Sequence, residues 1–427
     1  MNSEDIYNYC EKLIKKENVE FIYNSVYLQK GNINKFSIGN LNIKENDILN
    51  IRVIENKQIG NYKVTNITKR NILSGITKAK KIAKLKNKLP VEQFGSGRSS
   101  KKIKQDKEIK HVDFDKILEE TSKEITKEKY FKSYEGSVSK TNYSGFYLNP
   151  FTKKNIDLTT LYLEILINAK FKKNSTAFYT DIFTRKDDIN IKQTFDQAKI
   201  NTNNLLNPTK GEKGTYTIIL TPEVTKEFLE KFVVDAAKGD VIEEKNSYLH
   251  AYKNKQLFSK RLNIIEDPFI DYFTGSQVID NQGFKTSKKN IIVDGVFKKA
   301  VYDQYTAIKY NKKPTGNGIA NDGIDFTNIL QKPGSKKIDN IIGNIKYGVI
   351  IYSIMGMKTN KITNGEFSLV ISSGKIIENG KLGKSITNLN FTGNVKDILK
   401  NISFSKEQKF FGDSLYSFMI IPNIKLV

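Results

Sequence analysis

Lys346–Lys384 constrains the fold more than any other stretch of this chain. It reads KYGVIIYSIMGMKTNKITNGEFSLVISSGKIIENGKLGK, strand-length segments separated by glycine punctuation. The apolar run from Gly348 to Met355 closes at Met355-Gly356, and a polar bend with Asn364-Gly365 follows. Phe367–Ser372 predicts a second strand, Ser373-Gly374 a turn into a third, and Glu378-Asn379-Gly380 its end. Asn-Gly and Ser-Gly between apolar runs favour hairpins, because such turns need positive φ.

The chain before this stretch reads as two helix–strand–helix units. Ser3–Glu17 predicts a helix with Ile6, Cys10, Leu13 and Ile14 on one face and Ser3 as its cap. Strands are expected at Val19–Tyr23, Ser25–Lys30, Asn34–Ile38, Ile48–Ile54 and Gly60–Val64. Gly31-Asn32, Gly39-Asn40 and Asn56-Lys57 are the expected turns. A second helix spans about Arg70–Asn87. Pro90–Lys110 carries Gly95-Ser96-Gly97 and a basic run, and reads as an exposed connection. Helix Asp113–Glu128, strands within Phe131–Phe183, and helix Asp188–Asn207 form the second unit.

From Gly214 the character changes. Thr215–Leu220 predicts a buried strand, and Thr221-Pro222-Glu223 starts a helix that stops at Gly239. Beyond it the chain reads as mostly β, with only Val395–Asn401 helical. The expected class is α+β: an N-terminal half of helices on antiparallel strands, and a C-terminal β-rich antiparallel half, barrel- or sandwich-like. The expected units are 1–89, a basic exposed linker 90–110, 111–213 and 214–427.

Composition narrows the functions. The single cysteine, Cys10, excludes an internal disulfide and a CxxC zinc site. No apolar run approaches the ~20 residues of a membrane span, and the first ten residues are polar, so a soluble cytoplasmic protein without membrane association is expected. The net charge of +24 comes from lysines spread over nearly every segment. Weak nucleic-acid association at low salt is expected from it, without a recognition motif.

Four ordered motifs carry a family resemblance: Met355-Gly356, Thr363-Asn364-Gly365, Glu378-Asn379-Gly380 and Thr392-Gly393-Asn394-Val395-Lys396-Asp397. They resemble the TldD/PmbA family, also described as modulators of DNA gyrase. Leu262–Pro268, Asp280–Gly283 and the hairpin around Asp294-Gly295 extend the likeness. In the catalytic members the helix after the TYTIIL-like strand carries His-Glu-x-x-x-His, which binds zinc, and a C-terminal cysteine adds a ligand. Here Glu227–Asp240 holds no histidine, and Phe411 stands at the cysteine's place. The chain therefore resembles the TldE/PmbA branch, which lacks the zinc motif.

That resemblance implies the non-metal subunit of a heterodimeric metalloprotease. It implies no cofactor and no catalytic residue in this chain. Zinc is expected in a partner subunit, an HExxxH-containing TldD-like paralogue. Small or unfolded peptides are the implied substrates, paired along exposed strand edges. The alternatives are a stand-alone nucleic-acid or gyrase-associated binding protein and a homodimeric non-catalytic scaffold.

The remaining chemistry-bearing residues read as structural. His111 and His250 have no second histidine or cysteine at ligand spacing, and Ser247 lies in no nucleophile elbow. Glu266 and Asp267 point to opposite faces of a strand, and Glu243-Glu244 reads as a solvated loop. Pro314–Gly318 has two readings: a turn between β elements, or a peptide- or partner-contacting loop through Thr315, Gly316 and Asn317. Met355 and Gly356 share that ambiguity.

Overall fold

A computed structural model describes residues 1–34, 37–85, 90–127, 133–170, 174–320 and 323–427. The N-terminal half comprises α1 (Ser3–Ile14), β1 (Val19–Asn34), β2 (Ile38–Glu55), β3 (Gln58–Val64), α2 (Lys69–Leu85), α3 (Phe114–Lys127), β4 (Ser133–Leu148), β5 (Lys153–Lys170), β6 (Asn174–Phe183) and α4 (Ile191–Asn204). Its strands form one antiparallel sheet in the order β3-β2-β1-β4-β5-β6.

Period-two alternation gives this sheet two different faces. Phe21, Tyr23, Leu49, Ile51, Val53, Phe146 and Leu148 pack on α1 and α2. Farther along the same face, Val138, Leu161 and Leu163 pack on α3 and α4. The opposite face turns Glu20, Ile22, Arg52 and Tyr147 inward, and Ile22 and Tyr147 cluster with Ile279 of the C-terminal half. Helix α1 is capped by Asn2 rather than Ser3: Asn2 and Asp5 exchange side-chain and backbone bonds in a capping box.

The strands are longer than their sequence suggests. Gly31-Asn32 and Gly39-Asn40 lie inside β1 and β2, with only a register shift between Gly31 and Ile33. β1 ends at Asn34, whose side chain accepts from the Ser37 N–H, and β2 begins at Ile38; residues 35–36 of the expected strand Asn34–Ile38 lie outside the described residues. Asn56-Lys57 does turn, at φ 50° and 61°. The predicted helix ends at Asn87 and Glu128 lie outside the described residues.

The expected exposed connection is partly interior. Val91, Phe94 and Gly95 are buried, although Lys101, Lys102, Lys104 and Lys107 are exposed. The Gly97 N–H donates to Gly283 O at 2.7 Å, and Asn149 donates to Gly95 O at 3.0 Å. Farther on, Lys104 exchanges bonds with Asp271 and Tyr272. The segment is laid between the two halves and tied to both.

The C-terminal half comprises β7 (Thr209–Lys210), β8 (Gly214–Leu220), α5 (Pro222–Leu229), α6 (Gly239–Glu243), β9 (Ile264–Glu266), β10 (Lys289–Val293), β11 (Val296–Phe297), α7 (Gln304–Lys309), β12 (Ile329–Gln331), α8 (Ile338–Gly343), β13 (Tyr347–Met355), β14 (Glu366–Glu378), β15 (Lys381–Thr387), β16 (Leu389–Asn394), α9 (Val395–Ile398), β17 (Ser403–Phe410) and β18 (Ser414–Leu426). The twelve strands run β11-β10-β9-β12-β18-β8-β13-β14-β15-β7, with β16 on β14 and β17 on β18. The path stays open, so the half is sandwich-like rather than a closed barrel. It is also mixed, because β8–β13, β12–β18 and β15–β7 pair parallel.

Two expectations fail locally. Ser373-Gly374 does not turn: it passes through β14, where the register against β13 shifts. Helices α6, α7 and α8 occupy ground read as β or loop. Asn379-Gly380 does turn, at φ 48° and 78°, and joins β14 to β15. Across the sheet, Phe228 on α5 meets Phe367 edge-on at 5.2 Å, which anchors the helix over β14.

Candidate functional site

Strand β8 is buried between β18 and β13, and it delivers α5 to the sheet end. Pro222 occupies the first helical turn, where its missing N–H costs nothing. Thr221 is the N-cap residue, but its side chain makes no capping bond. Instead of ending at Leu229, the helix widens into a π turn at Glu230–Val234 and tightens again at Asp235–Ala237. The Asp235 N–H reaches back five residues to Glu230 O. Residues five apart on a regular α-helix stand about 140° apart around the axis. A π turn brings them to one side, and such turns concentrate at functional sites.

Both ends of this turn carry a carboxylate held by a nearby lysine, Lys226 within the helix and Lys238 just past its end. Lys226 places its ammonium on both oxygens of Glu230, at 2.5 and 2.6 Å. Lys238 sits 2.8 Å from Asp235. At the helix start, Glu223 pairs with Lys409 of β17 at 2.9 Å. The β17–β18 turn brings up Phe411, whose ring lies 5.8 Å from the Lys226 ammonium and 5.6 Å from that of Lys409. Lys409 also lies over the Tyr179 ring of β6 at 3.6 Å, so the N-terminal sheet closes one side. From β18, the Tyr416 hydroxyl donates to Glu230 at 3.4 Å.

Burial pushes the Glu230 carboxyl up, against the opposing pull of Lys226. Burial, and the charges of Glu230 and Asp413, push the Tyr416 hydroxyl well up, so it serves as a donor. Phe411 and the helix, distant in sequence, thus meet in one place.

Zinc takes histidine, thiolate and carboxylate ligands at about 2.0–2.3 Å. Here the carboxylate at each end of the turn is already covered by an ammonium, and an ammonium has no lone pair to offer a metal. Among the described residues no group of three or more His, Cys, Asp and Glu could hold a metal ion. The described residues at this centre do not fit zinc.

Beside this centre lies an open strand edge. Gly348–Ile351 of β13 pairs with β8, but β8 then turns into α5. Among the described residues, Tyr352–Met355 pairs with β14 on one side and with no strand on the other. Met355 is 58% exposed at its end, and Gly356 follows at φ 94°.

The other predicted contacts lie elsewhere. Asn317 is buried and donates to Glu266 and Asp325. Thr315 bonds Tyr302 and Asn317, and Gly316 crosses closely over Lys285 and Thr286. This loop is interior rather than at a cleft mouth, because its amide and hydroxyl groups are spent on the protein. His111 and His250 are both exposed. Ser247 donates to Ala236 O and forms no triad with His250. Glu243 is partly buried and Glu244 exposed, and both are paired: Tyr302 donates to the first, and Lys309 to the second.

The sequence reading missed Lys226, Lys409, Tyr179 and Tyr416. The i,i+4 spacing of Lys226 and Glu230 was a readable signal. Nothing local announces that Lys409 and Tyr179 will meet them.

These features place the chain in a class of two-sheet α+β proteins with a helix-borne centre beside an open strand edge. It belongs to the PmbA/TldA metallopeptidase family, whose C-terminal domain matches residues 213–427. Over 207 residues it is 29% identical to a zinc metalloprotease TldD homolog of Saccharolobus solfataricus, covering 46% of each chain. The chain spans about half the length of the curated relatives it matches. The fold is similar to that of TldE from Thermococcus kodakarensis, with TM-score 0.86, 20% identity and coverage of 99% and 100% of the two chains. It is also similar to that of a proposed modulator of DNA gyrase from Bacteroides thetaiotaomicron, with TM-score 0.87, 18% identity and coverage of 99% and 98%.

Proposed function

We propose that this chain is the non-metal subunit of a TldD/TldE-type peptidase that acts on small or unfolded peptides. An HExxxH-bearing paralogue supplies zinc, the activated water and the general base. This chain closes the chamber and holds substrate. The observation that carries the reading is the centre itself: the place where the zinc helix and the C-terminal turn converge holds Lys226, Lys409 and Phe411. The open edge at Tyr352–Met355 supports a binding role, because an extended peptide can pair with it through main-chain bonds. Met355 and Gly356 are the contacts at its end.

The test is co-expression with the HExxxH paralogue of the same genome. The pair is expected to cleave an unfolded peptide such as reduced casein, while the isolated chain is inactive. Cleavage by the isolated chain with stoichiometric zinc would sink the reading. So would full activity of the paralogue alone.

A further inference from the structure

We propose that Lys226 supplies the cation of this centre: its ammonium, seated on Glu230 beside Phe411, replaces a divalent ion and shuts metal out of the π turn. The inference rests on the non-metal reading above and goes further, since it names what stands in the metal's place.

Glu223, Glu230 and Asp235 lie along one helix, and Asp413 enters from the β17–β18 turn close enough to raise Glu230. Half-buried carboxylates crowded together are costly without a compensating positive charge. The relatives' pattern answers with a metal. Here three ammoniums answer instead: Lys226 on Glu230, Lys238 on Asp235 and Lys409 on Glu223.

Lys226 is the central one for geometric reasons. It sits one turn before Glu230, the spacing at which side chains on a helix meet. Its ammonium takes both carboxylate oxygens at once, while Phe411 covers it from the opposite chain segment. The remaining contact to Glu230, the Tyr416 hydroxyl, comes from β18. A divalent ion approaching Glu230 must expel Lys226 and lie close to Lys409, both of them positive. The π turn thus keeps the geometry that suits two groups five residues apart, while its occupants are ion pairs internal to the chain.

The experiment uses the full chain alone and reads zinc content and melting temperature. Wild type is expected to hold no stoichiometric zinc after incubation and desalting, with the same Tm in EDTA, zinc or manganese. Lys226→Met is expected to lower Tm by about 1–2 °C, and added zinc or manganese then raises it. Reversing the pair, Lys226→Glu with Glu230→Lys, is expected to recover most of the loss and abolish the metal response. Stoichiometric zinc in wild type overturns both this proposal and the non-metal reading. An unchanged Tm in Lys226→Met, or a destabilised variant without metal response, overturns this proposal alone. If Lys226→Met fails to fold, the reversed pair decides: its failure to restore a folded, metal-indifferent chain overturns the proposal.

Discussion

Lys289 holds its ammonium 2.9 Å from Glu266, and neither side chain reaches solvent. The second carboxylate oxygen accepts from Asn317 at 2.7 Å and from the Thr327 N–H and hydroxyl at 2.9 Å. Burial pulls the Lys289 ammonium down from its usual range, against the opposing effect of Glu266. Removing one partner of such a pair leaves a buried charge alone, at about 3–5 kcal/mol. Lys289→Met is therefore expected to lower the urea midpoint strongly. A shift no larger than that of a surface control such as Lys288→Met would contradict it.

Asp280 gives stability a pH dependence. It is buried beneath the N-terminal sheet and accepts from the N–H groups of Gln282, Phe284 and Gly318. Burial outweighs these bonds and raises its pKa from 3.8 to about 6. A carboxyl raised on folding contributes stability that is full below its unfolded pKa and lost as pH climbs through the folded one. Between pH 4 and 6 wild type should lose up to about 3 kcal/mol relative to Asp280→Asn. Urea titrations of both proteins at pH 4, 5, 6 and 7 measure this, and parallel profiles would refute it.

Gly60 marks where α2 presses on β3. A Cβ there would lie 1.8 Å from Ala79 O and 2.6 Å from Ala83 N, both backbone atoms that cannot rotate away. Gly60→Ala should cost about 1–3 kcal/mol by forcing helix and strand apart. Thermal melts of the variant check this, with Gly343→Ala as the control, since nothing lies within 4 Å of that position.

Met355 supplies a functional prediction. Its exposed side chain ends the open edge of β13. Met355→Asp should leave Tm unchanged and reduce cleavage by the reconstituted pair, chiefly through a higher KM. A lower kcat at constant KM would move the residue out of peptide binding.

How much of this was legible in the sequence depends on what each glycine does. Asn379-Gly380 reads as a turn and is one, because both residues adopt positive φ. Gly31 reads the same way but stays in strand: α3 lies over it, and a Cβ would come within 2.7 Å of Leu118. Sequence shows that a side chain is absent, not whether a turn or a neighbour requires the absence. Helices α7 and α8, six residues each, are too short to display a helical period. At the centre, Lys226 and Glu230 are one turn apart and visible as a pair. Lys409 and Glu223 are separated by 186 residues, and only the fold joins them.

The segment laid between the halves also sets an order of events. Gln93 O accepts from the Gln304 side chain, a separation of 211 residues, and Gly97 is bonded to Gly283. On the ribosome, the first helices and strands emerge long before these partners exist. Gly95 must wait uncovered until the chain past Gly283 has left the exit tunnel, and Phe94, already against Ile54 and Val91, waits for Ile308 to complete its cluster. The N-terminal half can assemble its helix-covered face early, but its other face is finished last. During synthesis, that unfinished face around Ile22 and Tyr147 is where a chaperone would find its apolar surface.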